Sequence, residues 1–414
     1  MRLSDIKDLN EANVFLNEKF AGRIKRAPNG STFEYENDFL EYAQSNNISG
    51  ISFSLSTKNK IYNTQGTNLH PFFANLLPEG RRLQALGQVA KTSLDDLFTL
   101  VIAGGGNCIG DVTVATLKEI PSLSSESKNE NISLEDVLFW DLFEKSIFGE
   151  TYEDKARDLN IAGVYPKISA GMISFPLRLL RSKSEYILKL EPKEYPCLVA
   201  NEFFFMNLAR ECGLEVPEVK VAFDKNSNPG LLVERFDRSF DKKNKQVKKI
   251  HQEDVCQLLN VYPSEKYRIS MREVAEVLEE VTSTPIIEIS KLIRLYLFSY
   301  FIGNGDLHAK NITILKYYDT DRTILSPAYD LLSTYPYGDK EMALNLEGKK
   351  SNIRYKDTIN FAKRHGIEDR VIDSMVLTLK TEILDAIMSM HNIGLDDKKT
   401  KALVQVVTDR VKGF

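Results

Sequence analysis

Apolar residues crowd residues 286–302 so densely that Leu292, Ile293, Leu295, Tyr296, Leu297, Phe298 and Phe301 face nearly every direction of a helix. A helix that is apolar almost all round belongs in the core of a large domain. Glu288, Lys291 and Arg294 interrupt the run, so the pattern predicts a core helix and not a membrane span. It stops at Gly303-Asn304-Gly305, where glycine lets the backbone leave the helix. Asp306 and Asn311 follow, five positions apart, and residues 312–315 (ITIL) read as a short strand. A second loop, SPAYDLLST at 326–334, carries Asp330 after a further strand.

Elsewhere the pattern alternates between the two periods. Residues 14–17, 21–24 and 32–35 read as strands of a small antiparallel sheet, and residues 72–77 begin a helical section broken at Pro78-Glu79-Gly80. Ser93 predicts the N-cap of another helix, Gly104 to Gly106 its end, and residues 111–115 a closing strand. The stretch EIPSLSSESKNEN at 119–131 has the composition of a linker. A helix restarts at Ser133, with Phe139, Trp140, Leu142 and Phe143 as its buried face. Residues 186–190 (YILKL) form a strand, a helix covers 200–211, and residues 219–222 and 230–236 pair as a hairpin. The basic run at 241–249 reads as a solvated hairpin tip, and His251 to Asp254 as the capping turn of a short helix. Further helices are expected near 271–282, 352–365, 370–392 and 396–412. The expected division is an N-terminal subdomain at 1–118, a linker at 119–132, a small lobe at 133–240 and a helical lobe at 241–414.

At 414 residues the chain is long enough for two or three domains with sizeable cores. A net charge of -4 gives no reason to expect it to coat nucleic acid or a membrane. Cys108, Cys197, Cys212 and Cys256 stand far apart with no C-x-x-C, which argues against a zinc site or disulfide framework and for buried thiols in a reducing compartment. The N-terminal MRLSDIKDLN lacks the apolar core of a signal peptide, so a cytoplasmic location is expected.

The chemistry concentrates around the core helix. Asp-x-x-x-x-Asn is the spacing of a phosphoryl-transfer loop, in which the Asp accepts the hydroxyl proton and the Asn holds magnesium. Asp330 supplies a second carboxylate where such a site needs another metal ligand. His308, in so short a turn, serves to order the loop and contact the nucleotide rather than to act as base. Lys189 stands alone in an apolar strand and must snorkel out or meet a charge. Glu202 could supply that charge, although two solvated surface charges fit the spacing equally well. The loop at 160–171, with Gly163, Lys167 and Gly171, can lay backbone N–H groups against phosphates, but it forms no G-x-G-x-x-G. Glu234, Arg235 and Phe236 end a strand where backbone atoms could meet a purine ring.

Several separated stretches together resemble the HipA family, bacterial kinases that act as toxins of type II toxin–antitoxin pairs. VFLNEKFAGRIKR (14–26), PFFANLLPEG (71–80) and GNCIGDVTV (106–114) resemble its N-terminal subdomain. GVYPKISA, YILKL, NEFFFMNLA, LLVERFDR, HQEDVCQLL, GDLHAKN and SPAYDLLS follow in the family's order. The resemblance implies an α/β (α+β) chain: a two-lobed protein-kinase-like fold with a mostly helical C-terminal lobe and a small N-terminal α/β subdomain. It implies ATP and Mg as cofactors, Lys189 on the phosphates, residues 234–236 as the hinge beside adenine, Asp306 as catalytic base, and Asn311 and Asp330 as metal ligands. It further implies a Ser or Thr on a protein substrate, possible aminoacyl-tRNA synthetase targets, and a HipB-like helix-turn-helix antitoxin through which DNA would be met only indirectly. One departure concerns Asn160, where the family often has an autophosphorylated Ser; Asn accepts no phosphoryl group.

Two other readings stay open on the sequence. GDLHxxN is also similar to the loop of small-molecule kinases such as aminoglycoside and choline phosphotransferases, which lack the N-terminal blocks. A weakly catalytic co-repressor scaffold bound to its antitoxin is the third.

Overall fold

The structure, a computed structural model, describes all residues except 1–2, 67–68, 106–107, 118–132, 149–171, 180–183 and 242–245. The N-terminal region is built on five antiparallel strands in the spatial order Ile61–Gln65, Gly30–Tyr35, Lys19–Ala27, Glu11–Leu16, Val112–Ala115. Alternation explains its one buried face: Ser31, Phe33 and Tyr35 point inward in the strand Gly30–Tyr35 while their neighbours do not. Phe33, Tyr35, Phe39, Phe72 and Phe73 form its core with the helices Asn37–Ser45, Pro71–Asn75 and Leu97–Gly104. The last of these is capped by Asp96, which accepts from Thr99 N at 3.2 Å. Ser93, expected as the cap, instead accepts from Asp95 N at 3.2 Å and closes the turn before it.

A four-stranded antiparallel sheet follows, ordered Ile173–Arg178, Glu185–Leu190, Pro229–Glu234, Val219–Phe223. The helices Phe139–Phe148 and Gly80–Ala90 pack on it, and Phe139, Phe143, Phe175, Leu188 and Ala85 share one buried cluster. Burial of each large apolar side chain contributes about 1.5–3 kcal/mol. Trp140, expected in that face, is exposed; its indole N–H donates to Glu144 Oε1 at 2.8 Å. The helix period carries residues 139 and 143 inward together and leaves 140 outside.

The remaining lobe is mainly helical around Pro285–Ile302, whose residues Leu292 to Phe298 are buried with one exception, Arg294. Among the described residues no helix is long and apolar enough to cross a membrane. Met271–Val281, Tyr355–Arg364, Asp369–Ala386 and Asp397–Gly413 surround it, bearing out the mixed α/β, two-lobed architecture. His251 to Asp254, expected as a capping turn, is a strand, His251–Asp254, paired antiparallel with Thr313–Tyr317 and followed by Arg322–Leu325. Only Asp254 caps, in a reciprocal box with Gln257. The basic run does form a hairpin, Arg238–Asp241 with Gln246–Lys249.

Candidate active site

The core helix ends at Gly303 with φ 75°, a left-handed conformation that glycine adopts without steric cost. Gly305 lies so close to Glu341 that an added Cβ would stand 2.6 Å from its carbonyl oxygen. The chain can therefore turn sharply off the helix and place Asp306, 1% exposed, at a fixed point in the interior. Asp306 N donates to Asn304 Oδ1 at 3.0 Å, and Asp306 O accepts from His308 N at 2.8 Å and Asn311 Nδ2 at 3.1 Å. The Asp306 carboxylate accepts from the Tyr267 hydroxyl at 2.9 Å. Burial and the nearby Asp306 charge raise the Tyr267 pKa, so Tyr267 stays a donor.

Lys189 does not snorkel out. Its ammonium meets Glu202 Oε1 at 2.5 Å and also the Asp330 carboxylate, from the strand, the helix Leu198–Glu211 and the second loop respectively. The pairing with Glu202, left open by spacing, is thus formed. Burial opposes the charge on Lys189, but Asp330 and Glu202 outweigh it and raise its pKa. Burial, with Asp330 adding repulsion, pushes Glu202 up to about 7. Glu202 Oε2 is buried without a hydrogen-bond partner among the described residues. Asp330 sits at φ 56°, a left-handed position tolerated by Asp, and turns the chain between Tyr329 and the buried Leu331 and Leu332.

Asn304 ties the two loops together. Asn304 Nδ2 donates to Asp330 O at 3.5 Å while its Oδ1 holds Asp306 N. His308 feels the charges of both Asp306 and Asp330; it is 3% exposed, and burial with Lys266 nearby lowers its pKa to about 4, so it is neutral. Its ring packs edge-on to Tyr267 at 5.1 Å, which fits the expected part in ordering the loop.

The expected hinge is mixed. Phe236 stacks at a tilt on Tyr329, 5.5 Å between centroids, and so lies beside the Asp330 loop. Glu234 N donates to Glu218 O and Arg235 N to Glu185 O, so both amides are engaged within the protein. The Arg235 guanidinium is committed to Asp237 at 2.7 Å and Cys108 O at 3.2 Å, and the Glu234 carboxylate accepts from Ser184. Both side chains therefore serve the fold. Gly163 and Lys167, together with Asn160, lie outside the described residues.

The donor set suits a hard divalent cation. Among the described residues Lys189 alone faces Glu202 and Asp330, and Asp306 adds a further carboxylate nearby, so negative charge is in excess. Among the same residues no three His, Cys, Asp or Glu side chains are gathered to hold a metal by themselves. Magnesium fits such a place, since it is commonly held by one or two protein oxygens and completed by phosphates and water. Asn311 and Asp330 carry the oxygens. Tyr267 and Asn304 were not singled out by sequence reasoning; Asn304 stood in the glycine turn, but nothing local pointed to Tyr267.

The family described as HipA N-terminal domain matches residues 12–115, and the HipA-like C-terminal domain matches residues 159–387. A Sinorhizobium fredii protein named "Putative kinase Y4mE" is 28% identical, covering 97% of this chain and 96% of its own length. The serine/threonine-protein kinase toxin HipA of Shewanella oneidensis is 28% identical over 66% of this chain and 65% of its own. A solved Shewanella oneidensis MR-1 complex of HipA, HipB and operator DNA matches with a TM-score of 0.70 at 20% identity, covering 97% of this chain and 96% of that one, which establishes the fold. With both its domains matched in order, this chain belongs to the HipA family of kinases.

Proposed function

We propose that this chain is an ATP- and Mg-dependent Ser/Thr protein kinase, the toxin of a type II toxin–antitoxin pair, which arrests growth by phosphorylating a translation-related protein such as an aminoacyl-tRNA synthetase. The observation that carries the reading is the pairing of Lys189 with Glu202 and Asp330, and the tie through Asn304 from Asp330 to the loop that holds Asp306 and Asn311. In this reading Lys189 binds phosphate oxygens and Glu202 holds the lysine in place. Asp306, oriented by Tyr267 and Asn304, accepts the proton of the substrate hydroxyl as the substrate oxygen bonds to the γ-phosphorus and the bond from that phosphorus to the bridging oxygen breaks, with ADP leaving. Asn311 and Asp330 would hold magnesium, which when bound neutralises charge on the phosphates. Residues 234–236 and the 160–171 loop would border the adenine and the phosphates.

The same reading takes residues 1–118 as the N-terminal subdomain, 119–132 as linker, 133–240 as the small lobe and 241–414 as the helical lobe. It places the protein in the cytoplasm with a HipB-like antitoxin, a partnership supported by the likeness to the Shewanella chain solved together with HipB and operator DNA. The match to the N-terminal domain family argues against a small-molecule phosphotransferase. Asp306→Asn decides the matter: phosphate transfer from labelled ATP to lysate protein is expected to fall by about 10²–10⁴-fold while Mg-ATP binding persists. Unchanged transfer would remove Asp306 as the base.

A further inference from the structure

Between Asp306 and Asn311 stands Lys310, which reaches toward the N-terminal region. Its ammonium donates to Asn75 O at 2.9 Å and Asn75 Oδ1 at 3.1 Å, and pairs with Asp254 Oδ2 at 3.1 Å. Those contacts use all three of its donors. Glu79 Oε1 stands 3.9 Å away, and Glu79 Oε2 meets Lys266 Nζ at 2.5 Å. Lys266 in turn accepts from Ala309 N through its carbonyl at 3.2 Å. Lys310 O accepts from the Tyr329 hydroxyl at 2.8 Å, one residue before Asp330. The Asp306 loop and the Asp330 loop are thus tied to each other, and both to residues 75–79 of the N-terminal region.

That segment is itself held. Asn75 is 6% exposed, and its Nδ2 donates to Pro71 O and Val261 O, each at 2.9 Å. Gln257 Nε2 donates to Phe72 O at 3.2 Å. Two ammonium groups and two carboxylates balance across this junction, so removing one charge leaves another without compensation beside the loop that carries the base.

We propose that Asn75 and Glu79 are positioning residues of the phosphoryl-transfer site, holding the Asp306 loop through Lys310 and Lys266, so that the N-terminal subdomain is part of the catalytic assembly. This rests on the kinase reading for its effect on rate, but the mechanical claim is independent of it. A displacement of about 1 Å at a reacting group can cost as much as 10²-fold in rate, which is the kind of loss a loosened loop would produce.

Glu79→Gln keeps the shape and removes the charge. In the full-length chain, hydrogen exchange of the 306–311 amides is expected to accelerate while global unfolding moves little. The kcat for transfer should fall by about 10-fold or more with the KM for ATP changed by less than about threefold. Adding Lys266→Met to Glu79→Gln restores the charge balance and should recover part of kcat, which a merely structural role would not allow. The proposal is overturned if Glu79→Gln leaves loop exchange and kcat at wild-type values, or if kcat, ATP affinity and global stability all fall together. Asp306→Asn, assayed alongside, separates the two claims. If it transfers phosphate normally the base assignment fails, while the exchange measurement still decides the brace.

Discussion

Two buried lysines flank the site, and their surroundings differ in one respect. Among the described residues Lys189 faces two carboxylates alone, and one of their oxygens, Glu202 Oε2, has no hydrogen-bond partner. Lys310 joins Lys266 against Asp254 and Glu79, charge for charge, with its three donors filled. A centre with excess negative charge can take up a cation and exchange partners when phosphates arrive. A balanced centre has nothing to gain from a ligand and holds its neighbours in place. The first suits binding and chemistry, the second suits mechanical support.

The difference can be broken most severely at Lys189. Lys189→Met is expected to reduce phosphate transfer by about 10²–10³-fold, the loss typical of removing one preorganised donor on a developing charge. Its stability cost should stay modest, because Glu202, already up at about 7, can take a proton in place of the lost cation. Lys310→Met loses two hydrogen bonds to the buried Asn75 as well as the ion pair with Asp254, and should destabilise the fold by about 3 kcal/mol in urea titration. A larger stability loss at Lys189 than at Lys310 would reverse the assignment of roles.

Titration sharpens the contrast, because one glutamate of each centre, Glu202 and Glu79, responds to pH with opposite sign. Glu202 has its folded pKa raised from 4.5 to about 7 by burial and Asp330. It binds protons more tightly in the folded state, so its contribution is full below pH 4.5 and is lost as pH rises through about 7. Glu202→Gln should flatten the fall in Tm over that window. Glu79 moves the other way: burial would raise it, but Lys310 and Lys266 prevail and lower it to about 2. Its contribution is full above pH 4.5 and is lost as pH falls toward about 2. With 32% of its side chain exposed, solvent screens it and the effect should be the smallest here. Glu79→Gln should remove that acid limb of the Tm profile; an unchanged limb would show that the pair carries no net charge stabilisation.

The resemblance to known blocks was legible because it lives in short stretches, and the core helix because apolar density is local. The five-residue step from Asp306 to Asn311 could likewise be read directly, since one turn closed by Asn311 Nδ2 on Asp306 O needs no distant partner. Lys189 announced itself as a charge in an apolar strand, which requires compensation whatever the fold. Its choice of Glu202 and Asp330 over solvent, however, depended on how strand, helix and loop pack together. Trp140 and Ser93 went astray for the same reason, as helix phase and cap position shift with a residue or two that composition does not resolve.

What the sequence determined by itself was the set of chemical groups and their local order: a buried helix, a glycine turn, a carboxylate and an amide at fixed spacing. Tertiary structure alone decided that Glu79 reaches Lys266, 187 positions away, and that Tyr267 reaches Asp306. Nothing in a linear pattern encodes which of many acids will meet a given ammonium. That is fixed when the apolar faces pack and the charges they carry inward must find one another or remain unpaired.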